Sequence, residues 1–217
     1  MDRKGRLIVF EGIDGTGKST HIRHLAEWMS QFGPIVVTRE PAGTELGRAV
    51  KPVLDAGGFP PLVDFFFQEA LRADHVHRVL KPSLLEGKTV LCDRFEESTN
   101  AYQRHAKNVP GDLVEIANLY GSGGVKADLT ILLLLPAEEA LERIRSRGRP
   151  TSYETRETLE RVAQYYGGLS ALKRPDVVSF DARLPEETLR DKIREAVAER
   201  FKIPLSSHPA LRGHRGR

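Results

Sequence analysis

The tightest constraint on this chain is an octapeptide near its start, Gly12-Ile13-Asp14-Gly15-Thr16-Gly17-Lys18-Ser19, of the form Gly-x4-Gly-Lys-Ser/Thr. It follows an apolar run, Leu7-Ile8-Val9-Phe10, and opens a segment of helical periodicity that passes through Leu25 and Trp28. A strand that feeds a helix through such a loop is a phosphate cradle. Its glycines let successive backbone N–H groups curl around an anion, and the helix N-terminus adds a favourable dipole. Lys18 supplies a point charge, and the Ser19 hydroxyl can ligate Mg²⁺. Gly12, Gly15, Thr16, Gly17, Lys18, Ser19 and Thr20 are therefore the expected contacts to a nucleoside triphosphate. The loop identifies the ligand class and leaves the reaction open.

The rest of the chain predicts the frame around that loop. Apolar β-type runs recur at Ile35-Val36-Val37, Val90-Leu91-Cys92, Leu129 to Leu135 and Val177-Val178, each followed by a helical pattern. Continuous rather than alternating apolar runs suit strands covered on both faces. The expectation is an α/β chain with the three-layer α/β/α fold of P-loop NTPases, a five-stranded, mostly parallel sheet and a mobile lid. Ligands in such sheets gather at the C-terminal strand ends. With 217 residues, 40% hydrophobic and 29% charged, the chain fits one P-loop nucleotide-binding domain over residues 1–203.

The longest apolar run is cut short by Glu138 and Glu139, too soon to span a bilayer, and no signal-peptide core precedes Leu7. The lone Cys92 cannot form an internal disulfide and reads as a buried small residue. These features predict a cytoplasmic protein without a membrane partner. Residues 204–217 carry Arg212, Arg215 and Arg217 without acidic balance and are expected to be a solvated, disordered basic tail, with no stable nucleic-acid partner. Arg143, Arg145, Arg147 and Arg149 crowd a helix end that Pro150 breaks, which predicts a lid over about 143–157.

Four blocks then resemble the thymidylate kinase family in order and spacing. Phe10-Glu11-Gly12-Ile13-Asp14-Gly15-Thr16-Gly17-Lys18-Ser19-Thr20 is similar to the family's P-loop, with Asp inside it. Thr38-Arg39-Glu40-Pro41-Ala42-Gly43-Thr44 is similar to its Arg-Glu-Pro-Gly-Gly-Thr. Asp93-Arg94-Phe95-Glu96-Glu97-Ser98-Thr99-Asn100-Ala101-Tyr102-Gln103 is similar to its Asp-Arg-Tyr-x-x-Ser-x-x-Ala-Tyr-Gln, and Arg72-Ala73-Asp74-His75-Val76 to its Arg-x-x-His-Val. The resemblance runs from about residue 6 to about residue 200. It implies ATP-dependent phosphorylation of dTMP to dTDP, with Mg²⁺ as cofactor, and a homodimer joined by helices.

It also implies roles. Asp14 sits near the acceptor's 3′-hydroxyl, although an Asx turn would use the same residue. Asp93 holds Mg²⁺ through water together with Ser19, and Arg94 binds the acceptor phosphate, unless Asp93 and Arg94 merely pair with each other. Arg39 reaches the same phosphate or is a surface arginine. Ser98, Tyr102 and Gln103 line the sugar and base edge, Ser98 and Tyr102 being four apart on one helix face. Arg72 bonds a pyrimidine carbonyl.

Two departures qualify the acceptor and the catalytic charge. The family's base-stacking phenylalanine is Gln68 here, so either Phe66 or Phe67 replaces the ring after a register shift or the acceptor differs. On the helix Leu62 to Leu80, the stripe Leu62, Phe66, Ala73, Val76 and Leu80 is expected to face the core, opposite Asp64, Gln68, Arg72 and His75. The family's lid arginine is Ser152 in Thr151-Ser152-Tyr153-Glu154, and no arginine stands in the loop at Gly15. Arg149 and Arg147 are the expected catalytic replacements alongside Lys18, Asp14 and Arg94, with Arg143 assigned to ATP. The rival readings are a related kinase for another (deoxy)nucleoside monophosphate or small phosphorylated acceptor, and a non-catalytic nucleotide switch.

Overall fold

A computed structural model describes residues 4–148 and 151–205. Strands β1 (Arg6–Glu11), β2 (Ile35–Arg39), β3 (Thr89–Asp93), β4 (Leu129–Leu134) and β5 (Val177–Asp181) form one sheet in the order β2-β3-β1-β4-β5. Every neighbouring pair is parallel. The expected five strands are all present, and the sheet is wholly rather than mostly parallel.

Alternate residues of β1 explain the layering. Ile8 and Phe10 point into one core with Leu129 and Ile131, closed by Ile22, Leu25 and Trp28 of α1 (Lys18–Met29), Val162 and Tyr166 of α8 (Arg156–Ala171), and Ile193 and Val197 of α9 (Glu186–Phe201). Leu7 and Val9 point the other way, into a core with Val90, Cys92, Val76, Leu80 and Phe95. With both faces covered and β1 at the centre of the sheet, the loop that follows it emerges from the buried middle of the fold. Cys92 is fully buried, and burial pushes its thiol up.

The remaining helices are α2 (Glu45–Ala56), α3 (Pro61–His75), α4 (Lys81–Leu85), α5 (Glu96–Thr99), α6 (Gly111–Gly121) and α7 (Ala137–Arg147). Local chemistry starts several of them. The Thr44 hydroxyl accepts from Gly47 N at 3.0 Å ahead of α2, and Thr155 from Thr158 N at 3.2 Å ahead of α8. Single π-helical stretches, Val76–Leu80 and Asn100–Ala106, extend α3 and α5. No described helix is long and apolar enough to cross a membrane.

Helix α3 corrects one expectation. Leu62, Phe66 and Ala73 are exposed, with only Val76 and Leu80 of that stripe in the core, whereas Asp64, Arg72 and His75 are buried. The reason is that the polar stripe is satisfied internally, so turning it inward costs little. Arg72 donates to Glu40 Oε2 at 2.9 Å, Glu69 Oε1 at 2.6 Å, Thr99 Oγ1 at 2.7 Å, Asn118 Oδ1 at 2.6 Å and the Phe95 carbonyl at 2.9 Å. His75 pairs with Glu40 and with Thr38. Apolar packing on the inward side falls to Phe65 and Leu71 instead.

Candidate active site

The P-loop leaves β1 with Gly12 at φ 139°, where an added Cβ would meet the Leu133 carbonyl at 2.4 Å. It enters α1 through Gly17, at φ 86° in the left-handed region. Both positions call for glycine. Lys18 is buried beneath the loop, its ammonium donating to the carbonyls of Gly12 and Ile13 at 3.0 Å each. Burial, then Arg94, lowers its pKa. The ammonium is thus held where positive charge is under-compensated, and an arriving phosphate would relieve it.

Opposite the loop stand the ends of β2 and β3. Arg94 follows β3 at φ 75°, a left-handed conformation that a non-glycine residue holds only at a cost. Its amide donates to the Phe10 carbonyl at 2.9 Å. Its guanidinium reaches Asp14 Oδ1 at 2.9 Å, Tyr102 OH at 3.2 Å, Ser98 Oγ at 3.2 Å and the Gly12 carbonyl at 3.3 Å. Arg94 therefore pairs with Asp14 across the site rather than with its neighbour Asp93. Tyr102 also donates to Asp14 Oδ2 at 3.2 Å. Burial alone would raise the Asp14 carboxyl, but Arg94 and Lys18 hold it well below the usual range. Beneath them Glu11 is fully buried, accepting from Phe95 N, Ser98 N, Ser98 Oγ and Tyr166 OH, and burial raises its pKa.

A cavity of about 840 Å³ joins these groups. Among the cations lining it, Arg94, Arg147, Lys51 and Arg72 are paired with Asp14, Glu154, Asp55 and Glu40 respectively. Lys18, Arg39 and Arg143 line it with no carboxylate partner among the described residues. Arg39 is exposed at the end of β2, and Arg143 spans the carbonyls of Gly15 at 3.2 Å and Ala182 at 3.3 Å. Ser19 donates to Asp93 Oδ2 at 3.2 Å, and Asp93 Oδ1 is buried without a partner. An orphaned carboxylate oxygen beside a P-loop serine fits Mg²⁺ held partly through water. The described residues contain no cluster of three or more carboxylates, histidines or cysteines for a metal, so any further ligands would be phosphate and water.

The cavity gathers Asp14, Gly15, Gly17, Lys18, Ser19, Thr20, Arg39, Gln68, Arg72, Asp93, Arg94, Ser98, Tyr102, Gln103, Arg143 and Arg147. Thr16, also expected at the phosphates, is buried, its hydroxyl bonded to the Ile13 carbonyl. Phe66 is not among the lining residues: it lies about 200° around the helix from Gln68 and points to solvent. Phe67 packs against Phe59 with ring centroids 5.5 Å apart. No register shift brings a ring of α3 to the cavity. Arg72 lines the wall, yet only one of its five N–H bonds is left after its internal partners. Arg149 and the tail from residue 206 lie outside the described residues.

Sequence reasoning missed three contributors. Glu11 was signalled by an acid closing an otherwise apolar strand, and Asp64 by a carboxylate on the inward stripe. Tyr153 gave no local signal: from the segment between α7 and α8 its hydroxyl donates to the buried Asp64 and accepts from Gln68 Nε2 at 3.1 Å.

A family model described as thymidylate kinase matches residues 10–193. The chain is 35% identical to the thymidylate kinase of Trichormus variabilis over 206 residues, covering 91% of this chain and 98% of that protein. It is 37% identical to that of Pelotomaculum thermopropionicum over 203 residues, covering 90% and 94%, and 34% identical to that of Caulobacter vibrioides over 206 residues, covering 92% and 99%. With a phosphate loop and a second set of guanidinium groups meeting in one cavity, and with likeness along nearly its whole length, the chain belongs to the thymidylate kinase family.

Proposed function

We propose that the chain phosphorylates dTMP to dTDP with ATP by in-line transfer. The observation that carries this reading is the meeting of two anion-binding sets in one cavity, loop amides with Lys18 on one side and Arg39 with Arg94 on the other. A switch that binds one nucleotide has no use for the second set. Lys18 and the P-loop amides hold the β- and γ-phosphates, and Arg143 steadies the loop from above. Arg39 and Arg94 orient the acceptor phosphate, whose oxygen is already anionic, so no protein nucleophile is needed. Catalysis rests on positioning and charge. Ser19 and Asp93 are the residues that would hold Mg²⁺, which when bound neutralises phosphate charge. Asp14 accepts from the acceptor sugar, and Arg147 or Arg149 supplies positive charge to the transferring group.

Two assembly-level readings accompany this one. Leu62, Val63 and Phe66 of α3 and Ile116, Leu119 and Tyr120 of α6 are exposed on two helices that pack side by side. An apolar face of that kind supports a homodimer through α3 and α6. The single buried thiol agrees with a cytoplasmic setting.

The test is ATP consumption across dTMP, dUMP, UMP, CMP, AMP and GMP. The expected result is the highest kcat/KM for dTMP. A different best acceptor favours the second reading, a related monophosphate kinase, which the amide of Gln68 in the cavity wall supports. No turnover with any phosphorylated acceptor in the presence of Mg²⁺ would sink the kinase reading.

A further inference from the structure

Only two aromatic rings line the cavity among the described residues, those of Tyr102 and Tyr153. The first is already committed. Tyr102 lies beneath the Arg94 guanidinium at 4.9 Å, gives its hydroxyl to Asp14 and is almost fully buried. Tyr153 belongs to the lid. Its ring stands edge-on to Tyr102, centroids 6.2 Å apart, and is half-buried.

The hydroxyl of Tyr153 is fixed from both sides. It donates to Asp64 Oδ1 and accepts from Gln68 Nε2 at 3.1 Å. The other oxygen of Asp64 accepts from Gln103 Nε2 at 3.0 Å and from Lys107 Nζ at 2.9 Å, and the Lys107 ammonium sits 4.4 Å from the Tyr153 ring centre. The neighbouring lid residue is anchored as well. Ser152 N donates to the Asp55 carbonyl at 3.1 Å and Ser152 Oγ to the Leu54 carbonyl at 3.2 Å, at the end of α2. The lid is thus tied to the two helices that wall the acceptor side.

From this arrangement we infer that Tyr153 is a specificity-determining residue that supplies the aromatic wall of the acceptor-base pocket, with Gln68 and Asp64 positioning it. The inference rests on the kinase reading and deepens it. Gln68 occupies the wall of α3 but has no π-face, and one of its two amide hydrogens is given to the tyrosine. A base in the cavity finds a flat apolar surface on the lid rather than on α3. Acceptor affinity then depends on lid closure, because the ring leaves when the lid opens. A base that fills the pocket in turn favours the closed lid, since it binds that state better.

The experiment measures KM for the best acceptor, KM for ATP and kcat in Tyr153→Ala, Tyr153→Phe and the double variant Gln68→Phe/Tyr153→Ala. Loss of a base-stacking ring predicts a rise of about tenfold or more in acceptor KM for Tyr153→Ala, with KM for ATP within about twofold. Tyr153→Phe keeps the ring and raises acceptor KM by no more than about threefold. Gln68→Phe restores a ring on the same wall and recovers most of the loss. A lid that is merely disordered by the substitution would raise both KM values and would not be rescued from α3. Acceptor KM unchanged in Tyr153→Ala, or raised together with KM for ATP without rescue, overturns the inference while leaving the kinase reading intact. Wild-type protein that phosphorylates no monophosphate overturns both.

Discussion

Substituting Arg72→Lys asks whether this guanidinium holds the fold or faces the acceptor. Five acceptors converge on it: Glu40, Glu69, Thr99, Asn118 and the Phe95 carbonyl, all within 2.9 Å. A lysine keeps the charge but brings three donors on one atom, so at least two acceptors lose their partner. A buried unsatisfied group costs about 1–3 kcal/mol, which brackets the loss at about 2–6 kcal/mol. Burial already raises the Glu69 pKa despite Arg72, so this carboxyl can take up a proton when its partner weakens. That response places the loss near the lower half of the range, about 3 kcal/mol by the same reckoning. For a chain of this size such a loss lowers Tm by about 6–12 °C. Thermal unfolding followed by circular dichroism measures it, with acceptor KM taken on the same preparation. A Tm within about 2 °C of wild type together with a tenfold rise in acceptor KM would refute the reasoning, because Arg72 would then be spending its hydrogen bonds on the acceptor.

Two further predictions follow from charge. Burial alone would raise the Glu40 carboxyl, but Arg72 and His75 pull it below its ordinary 4.5. A depressed carboxylate stabilises the fold above the unfolded pKa and ceases to do so as pH falls through the folded value. Glu40→Gln is therefore expected to cost about 3 kcal/mol at pH 7, and the Tm gap to wild type should close as pH falls through the lowered Glu40 value; a gap that widens in acid contradicts the assignment. In the lid, Arg147→Ala and Arg149→Ala are compared by steady-state kinetics, and one of them should lower kcat about a hundredfold or more while KM for ATP moves little. Unchanged turnover in both shows that the transferring phosphoryl group draws its positive charge from elsewhere.

The sheet was legible because its signal is local. A strand covered on both faces must be apolar at every position, and five such runs stand out without knowledge of their neighbours. The P-loop was legible for a similar reason, since its glycines answer to backbone geometry within eight residues. Ser98 and Tyr102 could be placed together from helical spacing, and both reach Arg94. The orientation of α3 was not legible. An amphipathic stripe rule turns apolar residues inward, but Arg72 and Asp64 find partners at Glu40, Thr99, Asn118, Gln103 and Lys107, all remote in sequence. Once those partners are counted, the polar stripe can be buried, and Leu62 and Phe66 are left exposed on the outer face of the helix. Tyr153 was hidden in the same way, since Asp64 and Gln68 stand far from it along the chain.

The pairing of Arg94 with Asp14 bears on acceptor choice in the proposed reaction. A guanidinium and a carboxylate destined for two parts of one acceptor would each be costly to bury alone. Set against each other at 2.9 Å, with Tyr102 and Ser98 completing the donors and acceptors, they satisfy one another. In the proposed reaction the acceptor exchanges into this pair, its phosphate expected to take hydrogen bonds from Arg94 and its sugar hydroxyl to donate to Asp14. In that exchange an acceptor with only one of the two groups would replace half of the pair and leave the other, part-buried charge without its partner. On that reading the ion pair would disfavour inorganic phosphate and unphosphorylated nucleosides alike, and favour a ligand that carries both groups at the right separation.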